Sequence, residues 1–190
     1  MPEQFYELEP DIFAEHVPEL QAELDAELSL TRGRVIGGGV PDPLVYVTGH
    51  TADDPPKGLH NRCDPVMSDE LISALIAAGV SNLQCFPAEL HSETDGSVWR
   101  NYKAVNVIGL VRAADMAKST STEIIERPGD NAPPLVAFES LRVDPARAGN
   151  ALLFRLAESP STLIVAGRVV DYLLTLHSDE DWGITLEAVS

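Results

Sequence analysis

Basic residues are scarce in this chain: 13 Lys and Arg stand against 30 Asp and Glu, for a formal net charge of −17 at pH 7. A surface so poor in cations repels nucleic acid and anionic lipid, because both are held by Lys and Arg. Cysteine is nearly missing as well. Cys63 and Cys85 are too few for a disulfide scaffold and read as reduced, partly buried thiols of a cytoplasmic protein. No uninterrupted apolar run approaches the roughly 20 residues of a membrane-spanning helix. The opening Met-Pro-Glu-Gln-Phe-Tyr-Glu has no basic region followed by an apolar stretch, so no secretory signal is expected.

Signatures of catalysis are missing too. There is no Gly-x-Ser-x-Gly elbow and no His-Glu-x-x-His, and neither cysteine sits in a reactive pattern. Three successive glycines, Gly37 to Gly39, have the spacing of neither a P-loop nor a dinucleotide fingerprint. With Pro41 and Pro43 they form a turn feeding the strand Leu44–Thr48. The segment 49–65 gathers His50, Asp53, Asp54, His60, Cys63 and Asp64, all capable acid–base groups or metal ligands. One reading is a metal-dependent hydrolase using His50, Asp53, His60 and Asp64. The spacing suits no closed zinc site, however, and Asp, Pro, Gly and Asn are what loops are made of. The favoured expectation is no enzyme: no catalytic residue, no metal ligand, no cofactor.

With 44% hydrophobic residues over 190 positions, one core of good size is affordable without metals or cross-links. The carboxy-terminal block organises the rest. Leu153-Phe-Arg-Leu and Leu163-Ile-Val-Ala are short apolar runs bounded by Ser, Pro and Gly, as strands are. Arg168 to Leu176 carries Val169, Val170, Leu173, Leu174 and Leu176 on one wide helical face. Ile184, Leu186 and Ala188 alternate with Thr185 and Glu187, giving a last strand. Upstream, Ser68 to Gly79 reads as a helix with Ser68 as its cap, Asp69 and Glu70 in the first turn, and Gly79 as its stop. Further strands are expected at Phe5–Leu8, Val80–Leu90, Tyr102–Val111 and Leu135–Phe138, with a turn of helix within Asp115–Thr122. Short intervals between strands favour antiparallel or mixed pairing. The fold class is therefore α+β: one domain over 1–190, a mostly antiparallel or mixed sheet with a few packed helices. Residues 1–66 form an acidic amino-terminal part, with a distinct lobe as one option.

That first part is charged on one side only. Nine acids and no Lys or Arg occur before Leu28. Leu20, Leu24 and Leu28 recur every fourth residue and predict a helix starting near Pro18. Glu19, Glu23 and Glu27 recur at the same spacing and stack like charges, which opposes that helix. They read either as a solvated face or as carboxylates held outward for a basic partner.

The run Tyr102-Lys-Ala-Val-Asn-Val-Ile-Gly-Leu-Val-Arg-Ala-Ala-Asp115, then Ser119, Leu153-Phe-Arg-Leu156, Leu163-Ile-Val and Trp182-Gly-Ile-Thr-Leu resembles a bacterial family. Asn82-Leu-Gln-Cys-Phe-Pro87 fits the segment that precedes its Tyr-x-x-x-Asn strand. The family is the immunity proteins of polymorphic toxin systems, family eleven, and the resemblance spans 67–189. It implies a cytoplasmic antidote that binds and neutralises a cognate toxin without turnover of its own. Some members accompany nuclease toxins, whose basic substrate groove an acidic protein can plug. The expected partner is thus a basic protein toxin of nuclease type, with no direct nucleic acid and no membrane; an acidic adaptor for an unrelated basic protein is the alternative. Contact is expected at Asp179, Glu180, Asp181 and Trp182, acids around an aromatic, since binding hot spots favour aromatics within a polar rim. The row Glu19, Glu23 and Glu27 comes second. Tyr102, Phe154 and Arg155 are expected to hold the sheet, Arg155 by satisfying a carboxylate such as Asp171 or Asp115.

Overall fold

The computed structural model describes residues 3–190 apart from 12, 22, 23, 26, 27 and 127–132. Within them the strands are β1 (Phe5–Pro10), β2 (Glu19–Leu20), β3 (Leu44–Thr48), β4 (Leu59–His60), β5 (Val66–Ser68), β6 (Leu83–Ser92) and β7 (Val98–Val107). They continue as β8 (Leu110–Val111), β9 (Thr120–Ile125), β10 (Leu135–Ser140), β11 (Leu153–Leu156), β12 (Ser159–Ala166) and β13 (Ile184–Ala188). The helices are α1 (Asp69–Ala77), α2 (Pro145–Ala148), α3 (Gly167–Leu176) and α4 (Asp179–Trp182). The result is one α+β domain with mixed and antiparallel sheets.

The carboxy-terminal block nucleates a five-stranded sheet of order β13-β1-β12-β11-β8. Strands β11 and β12 form an antiparallel hairpin through Leu153↔Val165 and Phe154↔Ile164. Helix α3 follows and buries Val169, Val170 and Leu173, while Leu174 and Leu176 stay exposed, so its apolar face is narrower than its composition suggests. Helix α1 packs beside it. Ser68 Oγ accepts the Leu71 N–H at 3.1 Å, satisfying one orphan donor of its first turn, and Leu71, Ile72, Ala74 and Leu75 are buried. Each fully buried side chain in this core, such as Leu75, Phe154 or Ile164, contributes about 1.5–3 kcal/mol relative to exposure.

The acidic opening is no separate lobe. Strand β1 runs through the middle of the same sheet, antiparallel to β12 (Phe5↔Ala166) and to β13 (Glu7↔Glu187). The chain then crosses to a six-stranded sheet of order β2-β3-β6-β7-β5-β4, parallel only at β3–β6. Among the described residues of 18–28 the helix expected from Pro18 is not seen. Glu19 and Leu20 instead pair with Val47 and Tyr46 of β3, and Leu20, Leu24 and Leu28 pack on a second core built on Leu44, Tyr46, Leu90 and Tyr102. Stacked glutamates weaken the helix, and the open β3 edge supplies the backbone partners in its place.

The run read as one strand, Tyr102–Val111, is two. Gly109 has φ +112, a conformation costly for other residues, and it diverts the chain from β7 in the six-stranded sheet to β8 in the other. The turn of helix expected in Asp115–Thr122 is a tight turn, with the Asp115 carbonyl accepting from Lys118 and Ser119 N–H, followed directly by β9. Strands β9 and β10 pair only with each other and stand as a bulged two-stranded ribbon.

Arg155 is fully buried in the sheet, but its partners are not the expected ones. It donates to the Pro160 carbonyl (2.7 Å) and the Cys63 carbonyl (3.1 Å), and the nearest opposite charge is Asp64. Asp171 is exposed on α3, and Asp115 pairs with Lys118. Burial lowers the Arg155 pKa to about 10, with Asp64 and Cys63 acting against the shift. Cys63 and Cys85 are both free and exposed. No helix among the described residues is long and apolar enough to cross a membrane.

Candidate functional site

The β9–β10 ribbon leans over one face of the five-stranded sheet and is tied down by the Val136 N–H to Glu158 carbonyl bond (2.8 Å). Between ribbon and sheet lies a cleft of about 760 Å³. Among the described residues six glutamates line it, Glu7, Glu9, Glu123, Glu139, Glu158 and Glu187, with Arg62 as the one basic side chain. Period-two alternation places Glu7 and Glu9 on one face of β1, and sheet register sets Glu187 directly opposite Glu7. Glu123 and Glu139 project from the ribbon and are exposed. Ile125, Leu135 and Phe138 give the ribbon's side of the cleft an apolar wall.

Like charges opposite one another destabilise a strand pair. Here they are partly compensated. Arg62 Nη2 donates to Glu7 Oε1 at 2.8 Å, and its Nη1 reaches Glu9 Oε1 at 2.9 Å. Even so, burial, with Glu9 and Glu187 adding to it, raises the Glu7 carboxyl above its ordinary pKa against the pull of Arg62 and Thr162. Among the described residues no cation forms an ion pair with Glu187. Glu158, in the turn joining β11 to β12, is only 5% exposed, and its Oε2 has no hydrogen-bond partner. Burial raises its pKa; the Glu158 and Ala114 main chain, then Arg112 and Arg147, oppose without cancelling that shift. Among the described residues the cleft is thus a carboxylate cluster with a single lining cation, an arrangement suited to receiving positive charge.

The residues expected to bind lie elsewhere. Asp179, Glu180 and Asp181 occupy the single turn of α4, capped by Ser178 Oγ accepting from Asp181 N–H at 3.1 Å, and all three are exposed. Trp182 is not beside them at the surface. It is 2% exposed, its indole N–H donates to the Leu173 carbonyl at 3.1 Å, and its ring meets His177 edge-on at 4.7 Å. The aromatic expected as an anchor is a core side chain, withdrawn because α4 must seat the start of β13. Glu19 is exposed on β2; Glu23 and Glu27 lie outside the described residues.

The 49–65 segment does bring two of its histidines together. His50 and His60 meet at 5.5 Å between ring centroids, and His16, unremarked in the sequence, meets His50 at 5.3 Å. His16 lies where a Cβ on Gly49 would be, so residue 49 has to be small. A cavity of about 190 Å³ adjoins the three rings. His50 Nδ1 stands 3.1 Å from the Asp54 carbonyl, and neither His50 Nε2 nor His60 Nε2 has a well-formed hydrogen bond. Burial pushes the His60 pKa down to about 4, with His50 reinforcing and the Lys57 carbonyl opposing; His50 is lowered too, chiefly by burial. Asp53 is exposed, whereas Asp64 is held beside Arg155 and Tyr46, so the four-residue set does not converge. Among the described residues no three His, Cys, Asp or Glu side chains stand as a set able to hold a metal ion.

The cleft itself escaped the sequence reading because its members come from β1, the β4–β5 loop, β9, β10, the β11–β12 turn and β13. The one local signal was Glu7-x-Glu9 in a strand, two carboxylates on one face. Set beside models of known protein families, and beside curated proteins, the chain matches none.

Proposed function

We propose that the protein is a cytoplasmic antidote of the immunity-protein kind, which binds a basic protein toxin through the acidic cleft and blocks it. The observation that carries this reading is the cleft: among the described residues, six glutamates around one arginine on a protein of net charge −17. Complementary fields of this kind speed encounter and orient partners. A nuclease toxin fits best, because its substrate groove is itself a polyanion-binding surface, and a row of carboxylates mimics a row of phosphates. The exposed acids of α4 and Glu19 add to the negative field that draws the toxin in.

Co-expression tests it. The toxic domain encoded beside this gene is produced in a bacterial host with and without the protein. Rescue from killing, with a complex that co-purifies, is the expected result; killing that persists in the presence of folded protein would overturn the reading.

A further inference from the structure

Within that reading, which this inference rests on, we infer that the cleft is a guanidinium receptor: it takes an arginine side chain of the partner, and Arg62 keeps the place in the free protein.

The unmatched charge in the cleft comes first. Glu158 lines it, is 5% exposed, and leaves Oε2 without a partner. An unsatisfied buried carboxylate oxygen is costly, and an incoming N–H donor relieves that cost. Glu187 faces Glu7 across the β1–β13 pair with no ion-pair partner among the described residues. Among the described residues two acceptors, one buried in the cleft wall and one exposed, thus remain without a cation after Arg62 has bound.

Arg62 shows which cation fits. Its Nη1 and Nη2 address two different carboxylates, Glu9 at 2.9 Å and Glu7 at 2.8 Å, and Nη2 also lies 3.5 Å from Thr162 Oγ1. Spreading donors over separate acceptors in one plane is what a guanidinium does and an ammonium does poorly. Phe138 in the cleft wall adds an aromatic surface, on which guanidinium stacks more readily than ammonium. Arg62 reaches in from the short β4–β5 loop with its side chain half exposed, so it is held by these contacts and not by packing. A partner arginine that also reaches Glu158 and Glu187 gains more than Arg62 does and displaces it outward.

The test uses arginine-rich and lysine-rich peptides of equal length and charge, each titrated into the full chain at low salt by fluorescence anisotropy. The arginine peptide is expected to bind about tenfold more tightly. Arg62→Ala is expected to tighten it several-fold, and Glu158→Gln to weaken it about tenfold. Glu187→Gln, at an exposed strand position, carries the same test should Glu158→Gln fail to fold. Glu93→Gln, in the distant β6–β7 turn, is the control for general charge. Equal affinity for the two peptides overturns the proposal, as does arginine binding insensitive to both glutamate substitutions in folded protein. Its failure is separable from that of the antidote reading. Arginine-selective binding without rescue sinks the antidote and leaves the receptor; rescue with no peptide preference does the reverse.

Discussion

The acidic cleft and the histidine pocket both hold ionisable side chains without full partners, yet they resolve the problem differently. In the pocket, His50 and His60 are driven toward the neutral form by burial. A neutral imidazole at neutral pH needs no counter-ion, so what His50 Nε2 and His60 Nε2 lack is a hydrogen-bond partner and not a charge. In the cleft, strand register sets carboxylates opposite one another, and among the described residues Arg62 is the one lining cation. The difference is why the proposed partner is placed at the cleft and not at the histidines.

Four experiments break or sharpen the contrast. The largest effect is expected from Glu123→Lys with Glu139→Lys on the exposed ribbon. Toxin affinity should fall on the order of a thousandfold in a titration while thermal unfolding is unchanged, because no packing is lost. His60→Asn should leave affinity where it was; matching losses in both variants would erase the distinction.

The second effect concerns pH. His60 titrates near 4 when folded and near its ordinary 6.5 when unfolded, so between those values the unfolded chain binds more protons. Stability should therefore be complete above about pH 6.5 and fall by about 3 kcal/mol on acidification to about pH 4. Glu7 and Glu158 act with the opposite sign. Their raised pKa makes the folded state the better proton acceptor, so lowering the pH through those values relieves strain in the cleft. Urea denaturation across this range should show the His60→Asn variant losing less stability toward acid than the parent.

Salt gives the third. Raising ionic strength from low to physiological should slow association with a basic partner about tenfold in stopped-flow mixing, since steering between opposite fields is screened. A rate indifferent to salt would remove the electrostatic role of the cleft. The smallest effect is the most diagnostic of frustration. Glu187→Gln removes the like charge opposite Glu7 and should stabilise the fold by about 0.5 kcal/mol while weakening partner binding. A destabilised variant would show that Glu187 serves the fold after all.

Much of the fold was legible because its causes are local. The Ser68 cap, the acidic first turn and the stop at Gly79 are written within a dozen residues, and α1 follows them. The hairpin, helix and strand of the carboxy-terminal block follow from apolar runs and their punctuation. Where the reading failed, a distant partner decided. Leu20, Leu24 and Leu28 carry helical spacing, but the edge of β3 took Glu19 and Leu20 into a sheet. Trp182 sits among three acids in sequence and in the core in space, because the Leu173 carbonyl and the ring of His177 receive it.

The sequence by itself determined the composition of charge, the lack of known catalytic patterns and the identity of the locally specified elements. Charge and capping need no knowledge of which strand lies beside which. Only the tertiary structure decided that Glu7 faces Glu187, that Arg62 crosses to β1, and that Glu158 is buried without a match for Oε2. Those contacts join residues far apart in the chain. They exist because burying the apolar face of each strand selects one pairing register, and the register carries the carboxylates with it.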